Sequence, residues 1–426
     1  MGTLKALNHH SKTLFAGMVG NVLEWYDFVV YGFLAVIIGE LFFPSSDPMV
    51  SLIKSFAVFA VGFLMRPIGA ILFGYIGDRF GRKKSLTISI ILMAVSTTAI
   101  GLLPTYENIG IIAPILLVAL KMIQGLSVGG EYTTSVSFVV EHAPQDRRGF
   151  FGSIAILGAV AGILLGSASG AVITKVLSEE ALYSWGWRVL FFTGILLGLV
   201  GYYVRRNIDE TPKFLELEYE EMVDKQPIRD LFREAKKEFL KTFLLSTFQA
   251  VGFYTIFVYI ANHLSVFVKF PKSEALTINT ISMIVLAILI PISGIISDKI
   301  GRKPLIIAST GLTVLLSYPL FVLLSKGDFE SALIAQVIFA VIVAGFMAIL
   351  PTTLVEIFPT KIRNSGYSIG YNLPFAIFGG TAPLISTFLI KTTGNINSPS
   401  FYLIAAALVA FLVGITLKET AKEPLK

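Results

Sequence analysis

The amino-acid sequence predicts an all-α membrane protein, with twelve transmembrane helices arranged as two six-helix bundles of the same orientation. Three observations carry this. Only 15% of the 426 residues are charged and 54% are hydrophobic, whereas an ordinary soluble domain carries about 25% charge. The apolar residues come in blocks of about twenty, enough to span a ~30 Å hydrocarbon core at a rise of ~1.5 Å per residue. Two polar signatures also recur, in the same order, in the two halves of the chain.

The blocks lie near residues 14–41, 51–76, 85–103, 111–140, 150–175, 187–204, 241–268, 275–297, 304–325, 331–356, 365–391 and 400–416. The first is too long for a cleavable signal peptide and carries Glu24 and Asp27. The longest polar stretch, 205–240, contains Pro212, Pro227 and charges of both signs. It reads as a cytoplasmic linker with some surface helix, between bundles at 1–204 and 241–426. With the N-terminus, the even loops and the C-terminus on one side, that side holds 25 of the 34 Lys and Arg residues. The odd loops hold six, and Arg66, Lys121 and Arg188 fall within or at the ends of blocks. Basic residues mark the cytoplasmic side, so both termini are expected inside a multi-pass cytoplasmic (inner) membrane protein. The net charge of +6 belongs to these loops and implies no nucleic-acid partner.

Gly74-Tyr-Ile-Gly-Asp78-Arg79-Phe-Gly81-Arg82-Lys83 returns 220 residues later as Gly294-Ile-Ile-Ser-Asp298-Lys-Ile-Gly301-Arg302-Lys303, with six of ten positions identical. Glu141-x-x-Pro144 with Arg148 returns as Glu356-x-x-Pro359 with Arg363. A basic loop that only sets topology does not explain two copies in register. Gating is the better reading for Gly74, Asp78, Arg79, Gly81, Arg82, Asp298, Gly301 and Arg302.

Charges at membrane depth cost ~2.5 kcal/mol or more and usually face a cavity or a partner. Asn21, Glu24, Asp27, Phe28 and Tyr31 share one face of the first block, and Lys121, Gln124, Val128 and Glu131 share one of the fourth. These two faces suit one cavity. Lys121 can bind a substrate carboxylate as a point charge or merely neutralise Glu24, Asp27 or Glu131, and the two roles are compatible. A buried carboxyl beside a like charge is a group that can take up and release a proton, which makes Glu24, Asp27 and Glu131 the coupling candidates. Each has the alternative of a permanent structural ion pair. Gln124, Tyr31, Trp25, Tyr254 and Asn372 complete the expected substrate-binding set. Aromatic rings facing a carboxylate suit a quaternary ammonium group, at about 0.5–2 kcal/mol per ring. Arg66, beside Pro67, reads as a structural anchor, and His263 as a satisfied polar group near the outer end of the seventh block.

The repeated Gly-x-x-x-Asp-x-x-Gly-Arg-Lys resembles the cytoplasmic signature of the major facilitator superfamily. Further stretches are similar to its metabolite:proton symporter family. They are Gly20-Asn21-x-x-Glu24-Trp25-Tyr26-Asp27-Phe28, Gln124-Gly125-x-x-x-Gly129-Gly130-Glu131-Tyr132, Trp185-Gly-Trp187-Arg188, Glu210-Thr211-Pro212-x-Phe214 and Glu356-Ile-Phe-Pro359-Thr-Lys-Ile-Arg363. Phe42-Phe43-Pro44, Lys121-Met122-x-Gln124-Gly125 and Lys418-Glu419-Thr420-Ala421 place the likeness among bacterial proline- and betaine-type symporters. The resemblance is weaker around the seventh and tenth blocks. It implies the major facilitator fold and a secondary active transporter, functional as a monomer, moving protons and a small solute by alternating access. The implied cargo is a zwitterion such as proline or glycine betaine. The alternative is an organic anion such as 2-oxoglutarate, citrate or shikimate. The chain lacks the coiled-coil tail of some osmosensing relatives, so osmotic control of that kind is not expected.

Other classes fare worse. The absence of cysteine removes any disulfide or Cys-ligated metal site, and His9, His10, His142 and His263 are scattered. Gly125-Leu-Ser127-Val-Gly129 matches a nucleophile elbow, but it lies in an apolar helix rather than a strand–turn–helix. No Gly-x-x-x-x-Gly-Lys-Ser/Thr sequence occurs. Neither an enzyme, a cofactor, a metal nor an ATP-driven pump is expected. A channel fits the duplicated halves and internal charges less well than a carrier.

Overall fold

The computed structural model describes residues 2–426, and the side chains of residues 2–10, His9 and His10 among them, and of residues 33, 48, 49, 52, 56, 174, 197 and 272 lie outside the described part. Regular structure in the described chain is helical throughout. In a bilayer this is the solution by which a segment satisfies its own backbone groups. Among the described residues, twelve helical spans are long and apolar enough to cross a membrane if the bent first helix counts as one. They are α1 (Ser11–Gly32, continued after a 65° bend by Ala35–Phe42), α2 (Ile53–Phe80), α3 (Arg82–Leu102), α4 (Ile112–His142), α5 (Gln145–Ile173) and α6 (Glu179–Arg206). The rest are α7 (Lys236–Val266), α8 (Ser273–Ile300), α9 (Arg302–Leu324), α10 (Phe329–Ile357), α11 (Thr360–Thr393) and α12 (Pro399–Thr416). They match the twelve blocks in order. The bend in α1 interrupts a block expected to be continuous. It falls at Leu34, whose φ of −87° and ψ of 5° leave the helical region for the bridge region.

The chain forms two compact units, residues 1–142 with 158–227, and residues 143–157 with 228–426. The first residues of α5 therefore belong to the second unit. Polarity runs opposite to that of a water-soluble protein. Leu64, Val95 and Leu199 are exposed, as lipid-facing residues are, while Asp78, Arg82, Glu131, Arg205 and Arg363 are fully or almost fully buried. In the first unit Tyr26, Val30, Leu34, Trp187 and Phe191 form part of one buried apolar cluster. The Tyr26 hydroxyl donates to the Leu190 carbonyl at 2.9 Å, tying α1 to α6. Arg188, expected at the end of the sixth block, donates to the carbonyls of Gly101 (2.8 Å) and Leu103 (2.7 Å). It thereby satisfies carbonyls that the end of α3 leaves without helical partners.

In the second unit α7 and α11 each contain a wider-wound turn, at Tyr254–Tyr259 and at Phe375–Gly379, the latter directly after Pro374. Such turns release backbone groups from the regular ladder and redirect side chains. His263 corrects an expectation. It is fully buried, and neither ring nitrogen has a hydrogen-bond partner. The rings of Tyr259, Phe267 and Phe321 surround it at 5.6–5.7 Å, so aromatic packing, not polar satisfaction, holds it.

Candidate functional site

The site in the first unit begins with close helix contact. A Cβ on Gly125 would lie 2.1 Å from the Gly62 carbonyl oxygen, and one on Gly129 would lie 2.1 Å from that of Arg66. Glycine at these steps lets the backbones of α2 and α4 touch, and the faces beside the contact line a cavity. From α1 come Glu24, Trp25, Asp27 and Phe28, from α2 Phe59, Phe63 and Arg66, and from α4 Lys121, Gln124 and Val128. The spacings of three and four that placed the α1 and α4 residues on single faces are thus realised. Trp25, Phe28, Phe59 and Phe63 form a continuous aromatic wall with neighbouring ring centroids 4.7–5.5 Å apart.

Two ion pairs cross the cavity. Lys121 Nζ donates to Asp27 Oδ2 at 3.3 Å and sits 4.1 Å above the centre of the Tyr31 ring. Arg66 Nη2 lies 3.5 Å from Glu24 Oε1, longer than the ~2.7–2.9 Å of a good charge-assisted hydrogen bond. Lys121 therefore neutralises Asp27, one of the two roles left open for it. Tyr31 contributes through Lys121 and is absent from the cavity wall. Gln124 donates from Nε2 to Thr97 Oγ1 at 2.7 Å. Arg66 is where sequence reasoning fell short: it lines the cavity and pairs with Glu24. The signal available was a full charge inside an apolar block, one helical turn from the Gly62–Phe63 face.

Glu131 is held elsewhere. It pairs with Arg205 through both carboxylate oxygens and accepts from Ser89 Oγ, and it is fully buried. Arg205 also donates to the carbonyls of Leu86 (2.5 Å) and Ala16 (3.3–3.4 Å). This partner at the end of α6 was not anticipated, because nothing in the spacing of residues 131 and 205 links them. Tyr254 and Asn372 lie in the second unit. Tyr254 packs against Phe253 and Phe375, and Asn372 donates to the Ser368 carbonyl at 3.0 Å.

The repeated signatures build the same network twice. In the first unit Arg82 bridges Asp78 (3.2 Å) and Glu141 (3.1 Å), and in the second Arg302 bridges Asp298 (2.9 Å) and Glu356 (3.0 Å). Gly81 and Gly301 take φ of +98° and +105°, a conformation that side chains disfavour. It lets α3 and α9 start immediately after α2 and α8. Gly74 is buried in α2. Arg79 stands outside the network, exposed and stacked on Tyr75 and Phe80 at 5.4–5.5 Å.

A third duplicated element, Glu210-Thr211 and Glu419-Thr420, closes each copy. Glu210 accepts from the Arg82 and Lys83 N–H groups, both at 3.0 Å, and Glu419 from those of Arg302 (2.9 Å) and Lys303 (3.0 Å). Thr211 and Thr420 donate to Glu141 and Glu356 at 2.5 and 2.6 Å. The repeat of Glu-Thr after the last helix of each half was readable in the sequence and was not recognised as part of the motif. In the second unit Asp298 also accepts from the N–H groups of Gly149 (2.7 Å) and Phe150 (2.9 Å), at the start of α5. Arg148 reaches Glu356 at 3.3 Å.

No nucleophile–base pair emerges in this cavity, and Ser127 of the elbow-like motif donates to the Gln124 carbonyl within α4 at 2.8 Å. Among the described residues no group of His, Asp and Glu is placed to hold a metal. A charged, aromatic-lined cavity at membrane depth, with the duplicated Asp–Arg–Glu networks, is the arrangement of a secondary transporter of small molecules. Residues 12–223 match the Sugar (and other) transporter family and residues 242–426 the Major Facilitator Superfamily. The chain is 38% identical to the glycine betaine/proline/ectoine/pipecolic acid transporter OusA of Dickeya dadantii, covering 97% of this chain and 84% of that one. It is 36% identical to the proline/betaine transporter of Escherichia coli K12, over 97% and 85% of the two chains. A putative proline/betaine transporter of Staphylococcus aureus is 38% identical over 94% and 87%. Among solved structures, the proton:xylose symporter XylE matches with a TM-score of 0.82 at 18% identity, over 98% of each chain. A partially occluded inward-open form of XylE from E. coli matches at 0.70. The chain belongs to the major facilitator superfamily, within the family of these proline/betaine transporters, and is a multi-pass membrane protein.

Proposed function

We propose that this protein is a proton-coupled symporter of a small zwitterion of the proline or glycine betaine type. The observation that carries the proposal is the cavity's charge balance: Arg66 and Lys121 are matched by Glu24 and Asp27 within one aromatic-lined space. A solute with one carboxylate and one ammonium exchanges partners with these pairs and leaves the balance intact. An organic dianion has to leave both carboxylates uncompensated at membrane depth, which is costly. The relatives' names support the same cargo. Lys121 and Arg66 are the carboxylate-side groups and the aromatic wall with Glu24 the ammonium side, with Tyr254 and Asn372 the second unit's candidates.

Of the three candidate proton carriers, Glu24 is the least committed, because neither of its buried oxygens accepts a hydrogen bond. Glu131 is bonded through both oxygens. We therefore assign the coupling proton first to Glu24. The paired networks around Arg82 and Arg302 act as gates. The protein works as a monomer in the cytoplasmic membrane, with both termini inside, as the 25-to-6 division of loop cations supports.

The test is uptake into proteoliposomes of labelled proline, glycine betaine, 2-oxoglutarate, citrate and shikimate under an imposed pH gradient. Accumulation of the zwitterions is expected, and accumulation of the anions alone would reverse the assignment. Glu24→Gln should abolish proton-driven accumulation while sparing counterflow. Asp298→Asn should slow counterflow itself, since it weakens the carboxylate that accepts from Arg302 and the start of α5.

A further inference from the structure

Two aromatic rings beside the first unit's cavity already hold a cation. Lys121 Nζ lies 4.1 Å from the centre of the Tyr31 ring, and the Arg66 guanidinium 5.6 Å from that of Phe63. Phe28 joins these two seats. Its ring centre is 5.5 Å from that of Phe63 and 4.7 Å from that of Phe59, which stacks on Tyr31. Among the described residues no cation of the chain lies over Phe28 itself. The ring stands one helical turn after Glu24, so carboxyl and ring share a face of α1, and both line the cavity. Symport places a demand on this pair. Arg66 and Lys121 balance Glu24 and Asp27 in the empty cavity, so a site loaded with a zwitterion and a proton carries the proton's positive charge. With that proton on Glu24, the carboxyl is neutral while the solute is bound. Arg66 is then released toward the solute carboxylate, and Asp27 stays matched by Lys121. No spare carboxylate remains for the solute's ammonium group. A ring attracts a cation without competing for the proton.

Resting on the zwitterion reading above and on Glu24 as the proton carrier, we propose that Phe28 is the specificity-determining seat of the solute's ammonium group. It serves both kinds of cargo, but unequally. A quaternary nitrogen has no N–H to donate, so the ring carries its recognition alone. A secondary ammonium such as that of proline also donates to the carbonyl oxygen of the protonated Glu24, and it leans on the ring less. Phe28 thereby sets the ratio between fully methylated and N–H-bearing zwitterions, while Glu24 is left to the proton.

The experiment measures half-saturating concentrations of labelled glycine betaine and labelled proline for uptake into proteoliposomes under an imposed pH gradient. Phe28 is replaced by phenylalanines carrying one, two and three ring fluorines, which keep the ring's shape and weaken its pull on a cation stepwise. The value for glycine betaine is expected to rise with each fluorine, to about tenfold at three, and that for proline by about threefold or less, the scale of one cation–π contact. Phe28→Leu should move the betaine-to-proline ratio the same way, and the fluorinated series decides the matter if that variant does not fold. The carbon isostere of glycine betaine, 3,3-dimethylbutyrate, should compete at least roughly tenfold more weakly than glycine betaine in the unmodified protein. Equal competition by the isostere would show that shape rather than charge is recognised, and it would overturn the proposal. A flat fluorine series for glycine betaine, or parallel losses for betaine and proline, would also overturn it while leaving zwitterion uptake intact. Uptake of organic anions in place of both zwitterions would bring down the zwitterion assignment and this proposal together.

Discussion

Glu131 and Arg205 show how much depends on a single buried partner. Removing one member of such a pair leaves an uncompensated charge, at about 3–5 kcal/mol. Arg205→Met is expected to lower thermal stability in detergent by that order, and adding Glu131→Gln should recover much of the loss. A double variant no better than Arg205→Met would mean that Glu131 is not the group left stranded. The same residues separate structure from coupling: retained proton-driven accumulation in Glu131→Gln assigns the pair to the scaffold. At the cytoplasmic ends, Glu210 and Glu419 occupy equivalent positions but titrate in opposite senses. Burial pushes the Glu210 carboxyl up, only partly offset by the Thr211 and Lys83 N–H groups and the Arg82 charge. Burial also acts upward on Glu419, but four backbone N–H groups outweigh it and hold the carboxyl below its usual range. A lowered carboxyl stabilises the fold above its unfolded value of ~4.3 and loses that contribution as pH falls through its folded value. A raised one contributes below the unfolded value and loses the contribution as pH rises through the folded one. Glu419→Gln should therefore depress Tm at pH 7 and less so at pH 4. Glu210→Gln should cost less at pH 7 than Glu419→Gln, and the reverse order would contradict these assignments.

Among the elements, the α2–α4 contact supports the site. A leucine at Gly125 has to displace the Gly62 carbonyl, since its Cβ alone would stand 2.1 Å away. The helices separate, and Lys121 and Gln124 move off the faces of Asp27 and Thr97. Gly125→Leu should thus abolish zwitterion binding and lower stability. Gly32→Ala is the control, because nothing lies within 4 Å of the added Cβ, and its uptake should match the parent. Tolerance of Gly125→Leu in both assays would show that the close approach is dispensable. Each of these helices was recognisable from its apolar length. The face of α1 was recognisable from the steps between Glu24, Asp27 and Tyr31. Arg66 was misassigned because a lone charge near a proline looks alike whether it anchors a helix or lines a cavity. Only the helix lying across from it distinguishes the two.

For the whole molecule, orientation gives the most direct check. Reporter fusions after residues 46, 106 and 272 should report outside, and those after 82, 225 and 302 inside, and reversal at two or more positions would invert the assignment. By itself the sequence determined the twelve spans, the duplication, the transporter class and the candidate faces of α1 and α4. These follow from local quantities: apolar length, helical period, loop charge and repeated spacing. Tertiary structure decided the pairings: Glu24 with Arg66, Asp27 with Lys121, Glu131 with Arg205, and the closure of each Asp–Arg–Glu network by a Glu-Thr pair beyond the last helix. It also left the His263 nitrogens among aromatic rings rather than beside a polar partner. A buried charge requires compensation, and the sequence states that requirement. Which side chain meets it depends on distances of a few ångströms between residues that lie far apart in the chain, and those are set only when the helices pack.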